Sequence, residues 1–383
     1  MIKKALPILS LSIFTSMLGF AIVAPLLPLY AKSLEASGLS LGLMMGLHPA
    51  TRLVLMPFIG RFSDRWGRKP FIITGLAITT ISAVGYSWAG TMPQLFAVRM
   101  LAGAASGMTF PVSQAYLGDI CPEGEEGKWT GYFMAAFFAG HGIGPFMGGI
   151  LTDQFNMNVA FFSMAALNLL ALILVIFLLP KVAHRRTATG SMLSSFRAIT
   201  ASPMVRGLMS YRMSYAFARS SLNAFLPIFA ANYFGLIPTE TGTLLSVHMI
   251  SISLLQIYLG RIADRFSRRV MLICGLMVNP VIFMALIPSM GNFWMILTLC
   301  VLGGFGGAAS SPAASALTVE EGRKFGMGPT MATLSTTMSI GFTLGPILGG
   351  MLKDTTSIST VFYFGSFVGL MGIILFGWFS RRR

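Results

Sequence analysis

Charge is what this sequence lacks most. Only 10% of its 383 residues are Asp, Glu, Lys or Arg, against roughly a quarter in a soluble domain. A soluble fold of this length needs a polar surface, and the residues for one are missing. Acid is scarcer than base: 12 Asp and Glu stand against 27 Lys and Arg, a formal net charge of +15. Cysteine is nearly absent. Cys121, Cys274 and Cys300 are scattered, with no CxxC pair and no disulfide framework. There is no HExxH, no GxxxxGK[ST] and no metal-spaced His/Cys cluster. No catalytic constellation, metal or cofactor is therefore expected, and the chain does not read as an enzyme. Lacking a nucleotide-phosphate loop, it would draw on an ion gradient for any work it does.

What is present is oil. The chain is 55% hydrophobic with a mean hydropathy of +0.75. About twelve apolar segments approach the ~20 residues that cross ~30 Å of hydrocarbon. They run roughly over 6–31, 40–60, 70–89, 92–117, 129–151, 159–180, 207–231, 241–260, 270–288, 292–317, 327–352 and 358–380. The first follows Lys3 and Lys4, but its apolar run is too long for a signal peptide, so it reads as an uncleaved helix.

The distribution of cations gives orientation. With the N-terminus inside, 21 of the 27 Lys and Arg fall in cytoplasmic loops or ends, and only Lys32 and Lys353 fall outside. This satisfies the positive-inside rule and predicts that both termini are cytoplasmic. The basic balance reports topology in a plasma or inner membrane, so no nucleic-acid partner is expected.

The chain repeats itself. GHGIGPFMGGILTD (140–153) matches GFTLGPILGGMLKD (341–354), and GRFSDRWGRKP (60–70) matches GRIADRFSRRV (260–270). LPLYA (27–31) matches LPIFA (226–230), Asp119 matches Glu320, and His48 matches His248. All hold one offset of about 200 residues. The expected fold is all-α: twelve transmembrane helices in two pseudo-symmetric six-helix bundles, parallel about an axis along the membrane normal. The expected domains are 1–180, a cytoplasmic linker over 181–206, and 207–383.

These motifs resemble those of the major facilitator superfamily, of the twelve-helix drug:proton antiporter type. GRFSDRWGRKP is close to the family's loop 2–3 signature, GHGIGPFMGGIL resembles the antiporter signature of helix 5, and LGFAIVAPLLP (18–28) resembles the helix 1 pattern. RMLAGAASG (99–107) resembles the helix 4 pattern, with Ala102 where a Gln is usual. The resemblance implies alternating access around a midplane site. It implies that Gly60, Asp64, Arg65 and Arg68 latch the halves together on the cytoplasmic side, with Asp264 and Arg268 as a second latch. Gly60 is expected to end helix 2 and admit a close backbone.

Gly140, Gly144 and Gly148 lie at i, i+4, i+8, as do Gly341, Gly345 and Gly349. Small stripes let membrane helices approach closely, and Pro145 and Pro346 can bend them. Helix 5 and helix 11 are thus expected to form a moving seam, with static packing as the alternative.

Four arginines fall within apolar segments: Arg52, Arg99, Arg212 and Arg219. A central Arg costs roughly 2.5–3.5 kcal/mol on insertion scales, so it faces a cavity or a partner. Arg212, Tyr215, Arg219 and Asn223 share one helical face. The resemblance places that face, and that of Arg99, toward the central cavity. Arg99 and Arg52 have structural bonding as an alternative, and Arg212 can snorkel.

No Asp or Glu lies at mid-membrane. A cationic ligand lacks a counter-charge there, whereas an anionic one has Arg219. Any coupled proton needs another carrier. His48, His141 and His248 titrate in the useful range, and Glu35 and Asp153 at the outer rim compete with them. The expected activity is proton-coupled export of a small organic solute by a monomer in the bilayer. The alternatives are a symporter importing an organic anion and, in another class, a lipid flippase.

Overall fold

The computed structural model describes residues 2–122, 125–180, 199–263, 267–287 and 292–381. Among these there is no strand. Thirteen helices follow in order: α1 (Ile2–Val23), α2 (Leu26–Ser33), α3 (Gly38–Trp66), α4 (Arg68–Trp88), α5 (Met92–Ile120), α6 (Glu126–Gln154), α7 (Met157–Leu178), α8 (Pro203–Phe234), α9 (Pro238–Ala263), α10 (Arg268–Leu286), α11 (Phe293–Phe325), α12 (Met327–Thr355) and α13 (Ile358–Arg381).

Where helices stop has local causes. Pro25 has no N–H to give and stands in the turn between α1 and α2, so the single helix expected over 6–31 is broken in two. Gly67 separates α3 from α4 at φ 94°, ψ 155°, a conformation essentially confined to glycine. Thr91 and Gln94 close a capping box on α5, and Asn156, Ser202 and Asn292 cap α7, α8 and α11 through their side chains.

Counting α1 and α2 as one broken rod, nine stretches among the described residues are long and apolar enough to cross a bilayer. They are α1 with α2, α3 to α7, and α11 to α13. The other three, α8, α9 and α10, have 32, 26 and 19 residues. That gives lengths of about 48, 39 and 28 Å at 1.5 Å per residue. Polarity, rather than shortness, sets α8 apart: it carries Arg206, Arg212 and Arg219.

The helices cluster in two units. The first comprises Met1–Ala36, Leu47–Ala188 and Leu236–Ser246; the second comprises Ser37–Gly46, Thr189–Gly235 and Val247–Arg383. In the first, α1 packs on α6 and α7, and α4 packs on α5 and α7. In the second, α8 packs on α12 and α13, and α10 packs on α11 and α13. The pattern is the same once α1, α4, α5, α6 and α7 are matched to α8, α10, α11, α12 and α13. Each unit has its own apolar core, around Leu9, Ile72, Tyr116 and Phe133 in one and Leu208, Tyr211, Leu276 and Phe376 in the other.

The division of the chain runs through two helices. It cuts α3 after Gly46 and α9 after Ser246, again 200 residues apart. The first turns of α3 thus group with the second unit, and those of α9 with the first. The linker expected over 181–206 lies mostly outside the described residues.

Candidate functional site

In the second unit, α8 carries Arg219 half-buried, one turn after Tyr215. An Arg219 Nη donates to Tyr215 Oη at 3.0 Å, and the other Nη points at the Met249 thioether. No carboxylate of the described residues pairs with it. Arg219 and Tyr215 line a cavity together with Ser214, His248, Asn279 and the bare backbones of Gly303 and Gly307. Its walls come from α8, α9, α10, α11 and α13, all parts of the second unit. Family resemblance implied a chamber shared by both halves; the cavity that holds Arg219 is walled by one unit. Asn279 Nδ2 is buried there without a hydrogen-bond partner. His248 is fixed through Nδ1, 3.0 Å from the Cys300 carbonyl oxygen.

Arg212 lies two turns before Arg219, with Nη1 turned to the Met338 sulfur at 3.9 Å and Nε buried without a partner. Asn223 is half-buried and lies outside the cavity's lining. The shared helical face therefore delivers Tyr215 and Arg219 to one cavity and leaves Arg212 and Asn223 apart from it.

The first unit holds the other intramembrane cations. Arg99 is 4% exposed on α5. Arg52 on α3 lays its stem beside Gly107, and its Nε is buried without a partner. The histidines stand within aromatic rings. Phe20 lies between His48, at 5.5 Å, and His141, at 6.3 Å, and His141 stacks on Phe137 at 6.0 Å. The backbone of His48 also presses on Gly103, where any Cβ would collide with it.

The charged loops fold onto their own units. Arg68 pairs with Asp64, reaches Asp119 through Nε at 3.2 Å and donates to Ser63 Oγ at 2.7 Å. One guanidinium so ties the end of α3 to the end of α5. Arg65 is exposed. Arg268 pairs with Glu320 in the same way at the end of α11. Asp264 lies outside the described residues. Gly60 departs from expectation: it sits inside α3, six residues before its end, and a Cβ there would meet nothing within 4 Å. The glycine that the turn requires is Gly67. Its counterpart Ser267 has φ −61°, so the second copy needs no glycine there.

The glycine stripes also face inward. A Cβ on Gly140 would lie 2.5 Å from the Phe14 carbonyl oxygen, and Gly144 and Gly148 abut Ala21 and Ile22. All three seat α1 in its own unit. Gly341 and Gly345 seat α8 likewise against Met213 and Phe217, and Gly349 against the Phe225 ring. The seam expected at these glycines is instead packing within a unit. A different face of α6 meets the start of α9. There the Pro145 carbonyl approaches Gly242, Gly149 approaches Pro238, and Phe146 N–H donates to Ser246 Oγ at 2.9 Å. In α12, Pro346 and Gly350 approach Gly42 and Gly38 of α3.

Two of the acids expected at the outer rim accept hydrogen bonds from helix starts. Asp153 accepts the Thr239 N–H at 2.7 Å, and Asp354 accepts those of Gly38 and Leu39 at 2.5 and 2.8 Å. Each carboxylate ends one repeat of the glycine motif and caps the first turn of a helix 200 residues away from the other's. Glu35 is exposed at φ 55° in the turn before α3. Sequence reasoning missed Asn279, an amide in an otherwise apolar α10 just before Pro280, and the capping role of Asp354. The first was visible as a lone polar residue; the second requires knowing which helix start lies nearby.

A sequence profile of the Major Facilitator Superfamily matches residues 9–213 and again 208–383. Multidrug resistance protein 1 of Bacillus subtilis is 30% identical over 376 residues, covering 97% of this chain and 95% of that protein. An MFS-type transporter of Methanocaldococcus jannaschii is 27% identical over 380 residues, 97% of each. Among solved structures, a POT family transporter in complex with 5-aminolevulinic acid has the same fold at 14% identity. Its TM-score is 0.84, with 98% of this chain and 96% of that one covered. Two matches of one profile reproduce the internal repeat, and the helical pairing repeats with them: the chain belongs to the major facilitator superfamily, and it is a multi-pass membrane transporter.

Proposed function

We propose that this transporter exports small organic, drug-like solutes carrying an anionic group, in exchange for protons. Kinship over nearly the whole length with a multidrug resistance protein supports export. The observation that carries the ligand chemistry is Arg219: a half-buried guanidinium whose partners are a hydroxyl and a thioether, in a chain with no carboxylate at mid-membrane. A buried charge needs an opposite charge, and here a ligand would supply it. Transport runs by alternating access, the two repeats of six helices rocking about the site. The Arg68 and Arg268 clusters act at the cytoplasmic ends of α3, α5 and α11, where making and breaking ion pairs costs little in contact with water. Both termini lie in the cytoplasm. Import of an organic anion together with a proton is the second reading, favoured by the same excess of arginine over acid.

The test is a panel of anionic, zwitterionic and cationic solutes in proteoliposomes, wild type against Arg219→Ala. Loss confined to anionic solutes is expected. Unchanged selectivity would reduce Arg219 to a structural role.

A further inference from the structure

The cavity behind Arg219 has mostly apolar walls, and the few polar side chains that line it, Ser214, Tyr215, Arg219, His248 and Asn279, are chiefly hydrogen-bond donors. Arg219 has five N–H groups and spends one on Tyr215 and one on a thioether, a weak acceptor. Tyr215 Oη accepts from Arg219, so its own hydrogen is free to turn into the cavity. Asn279 Nδ2 faces the same space with no partner. Ser214 is spent on the carbonyls of Ser210 and Tyr211. No acid lines the cavity, and the lining residues of α10, α11 and α13 carry no charge. The free space among the lining residues, open solvent at the mouth included, is about 430 Å³, and the room within it is that of roughly one or two waters. Three kinds of donor thus converge from α8 and α10 on a narrow space with a fixed positive charge.

His248 makes the site conditional. Its Nδ1 lies 3.0 Å from a backbone carbonyl, which only accepts, so Nδ1 carries the hydrogen. The ring lies beside Gly303, where a Cβ would fall 3.1 Å from its Cε1. Nε2 is then the nitrogen left to titrate. Neutral, it offers a lone pair, which repels an anion. Protonated, it becomes a further donor and a second positive charge beside Arg219. An anion in the cavity therefore favours the proton, and the proton favours the anion, by the same factor. The ionisable groups around His248 are Arg219 and Tyr215 from α8 and the Cys300 thiol from α11. None of these is an acid able to take the anion's place.

From this juxtaposition of Arg219, Tyr215, Asn279 and His248 we infer a site inside the second unit that binds one singly charged anion together with one proton, the proton residing on His248 Nε2. The anion is either the carboxylate end of an organic solute or a free halide; both meet the same donors. The inference rests on the reading of Arg219 as a ligand's counter-charge; because anion and proton bind together rather than in exchange, it favours the second reading above, movement of an organic anion with a proton, and its test needs no transport.

The purified full chain in detergent is titrated with sodium formate or sodium chloride at constant ionic strength, with isethionate, which has no carboxylate and is too bulky for the cavity, as the balancing anion. Thermal unfolding and proton uptake in weak buffer are read together. Formate, chloride or both should stabilise the wild type and take up about one proton per anion bound. The apparent dissociation constant should rise by up to about tenfold per pH unit once His248 is neutral in the anion-free protein. Arg219→Gln should abolish the stabilisation. His248→Gln should bind with no proton uptake and a flat pH dependence. A response to formate assigns the site to a carboxylate, and one to chloride alone assigns it to a halide. The inference is overturned if neither salt differs from isethionate in the wild type, if binding takes up no proton, or if His248→Gln takes up the proton as before. The wild-type measurements decide the matter even if the variants fail to fold. Binding without export would overturn the function proposed above and leave this site standing; export without binding would do the reverse.

Discussion

Asp354→Ala should loosen the start of α3 and little else. The first four N–H groups of a helix have no partner within it. In α3, Asp354 takes two of them, from Gly38 and Leu39, while Ser37 Oγ takes that of Ser40 at 3.1 Å. Removing a capping side chain costs about 0.5–2 kcal/mol, and the loss of a negative charge from a helix N-terminus adds about 0.3–1 kcal/mol. Asp354 is exposed, so solvent screening holds the total near ~1–2 kcal/mol. That corresponds to a roughly 5–30-fold larger open population of the first turns. Hydrogen exchange read by mass spectrometry should accelerate by about that factor in peptides over residues 38–44, with 47–66 unchanged. Asp354→Asn, which keeps an acceptor and loses the charge, should show a smaller effect. Asp153→Ala should act in the same way on α9, but less, because Glu240 already accepts the Ile237 N–H at 3.0 Å. Unaltered exchange in Asp354→Ala would refute the capping argument, and so would acceleration spread evenly over the chain.

Five further substitutions separate packing, backbone and charge. Gly345→Ala places a methyl against the Phe217 carbonyl and the Ser220 hydroxyl and should destabilise by about 1–3 kcal/mol. Gly365→Ala, with nothing within 4 Å of the new methyl, should leave thermal stability in detergent nearly unchanged; equal loss in both would contradict the contact argument. Gly67→Ala forces a methyl into a glycine-only region and should cost about 1–3 kcal/mol. Ser267→Ala, at an ordinary φ, should cost little by the same thermal assay. Arg68→Lys keeps the charge but cannot fork to Asp64, Asp119 and Ser63 at once. Transport at matched expression should fall several-fold, and wild-type rates would show that the fork has no part in gating.

Much of the fold was legible because a bilayer leaves the backbone few choices. Apolar runs of the right length must be helices, and an offset near 200 held by several motifs implied the copied unit that the helix pairing repeats. Broken rods were harder. APLLPLY (24–30) looks continuous in hydropathy, and only the missing N–H of Pro25 splits α1 from α2. The partners of the glycine stripes were not legible at all. Spacing shows that Gly140, Gly144 and Gly148 share a face, but nothing in it says that the face meets α1. Gly60 misled for a related reason: a motif position suggests close approach, yet φ and neighbours place the need at Gly67. The cavity shows the same limit. Helical period correctly joined Tyr215 to Arg219, but His248, Asn279 and Gly303 come from three other helices, and such convergence is a property of packing.

The claim on which the account most depends is exchange of an anionic solute for protons. Proteoliposomes loaded at acid pH and diluted into neutral medium, with a fluorescent organic anion outside, test it directly. The account predicts uptake against the solute's gradient that collapses when a protonophore dissipates the pH difference. Uptake only when the outside is acid would contradict it.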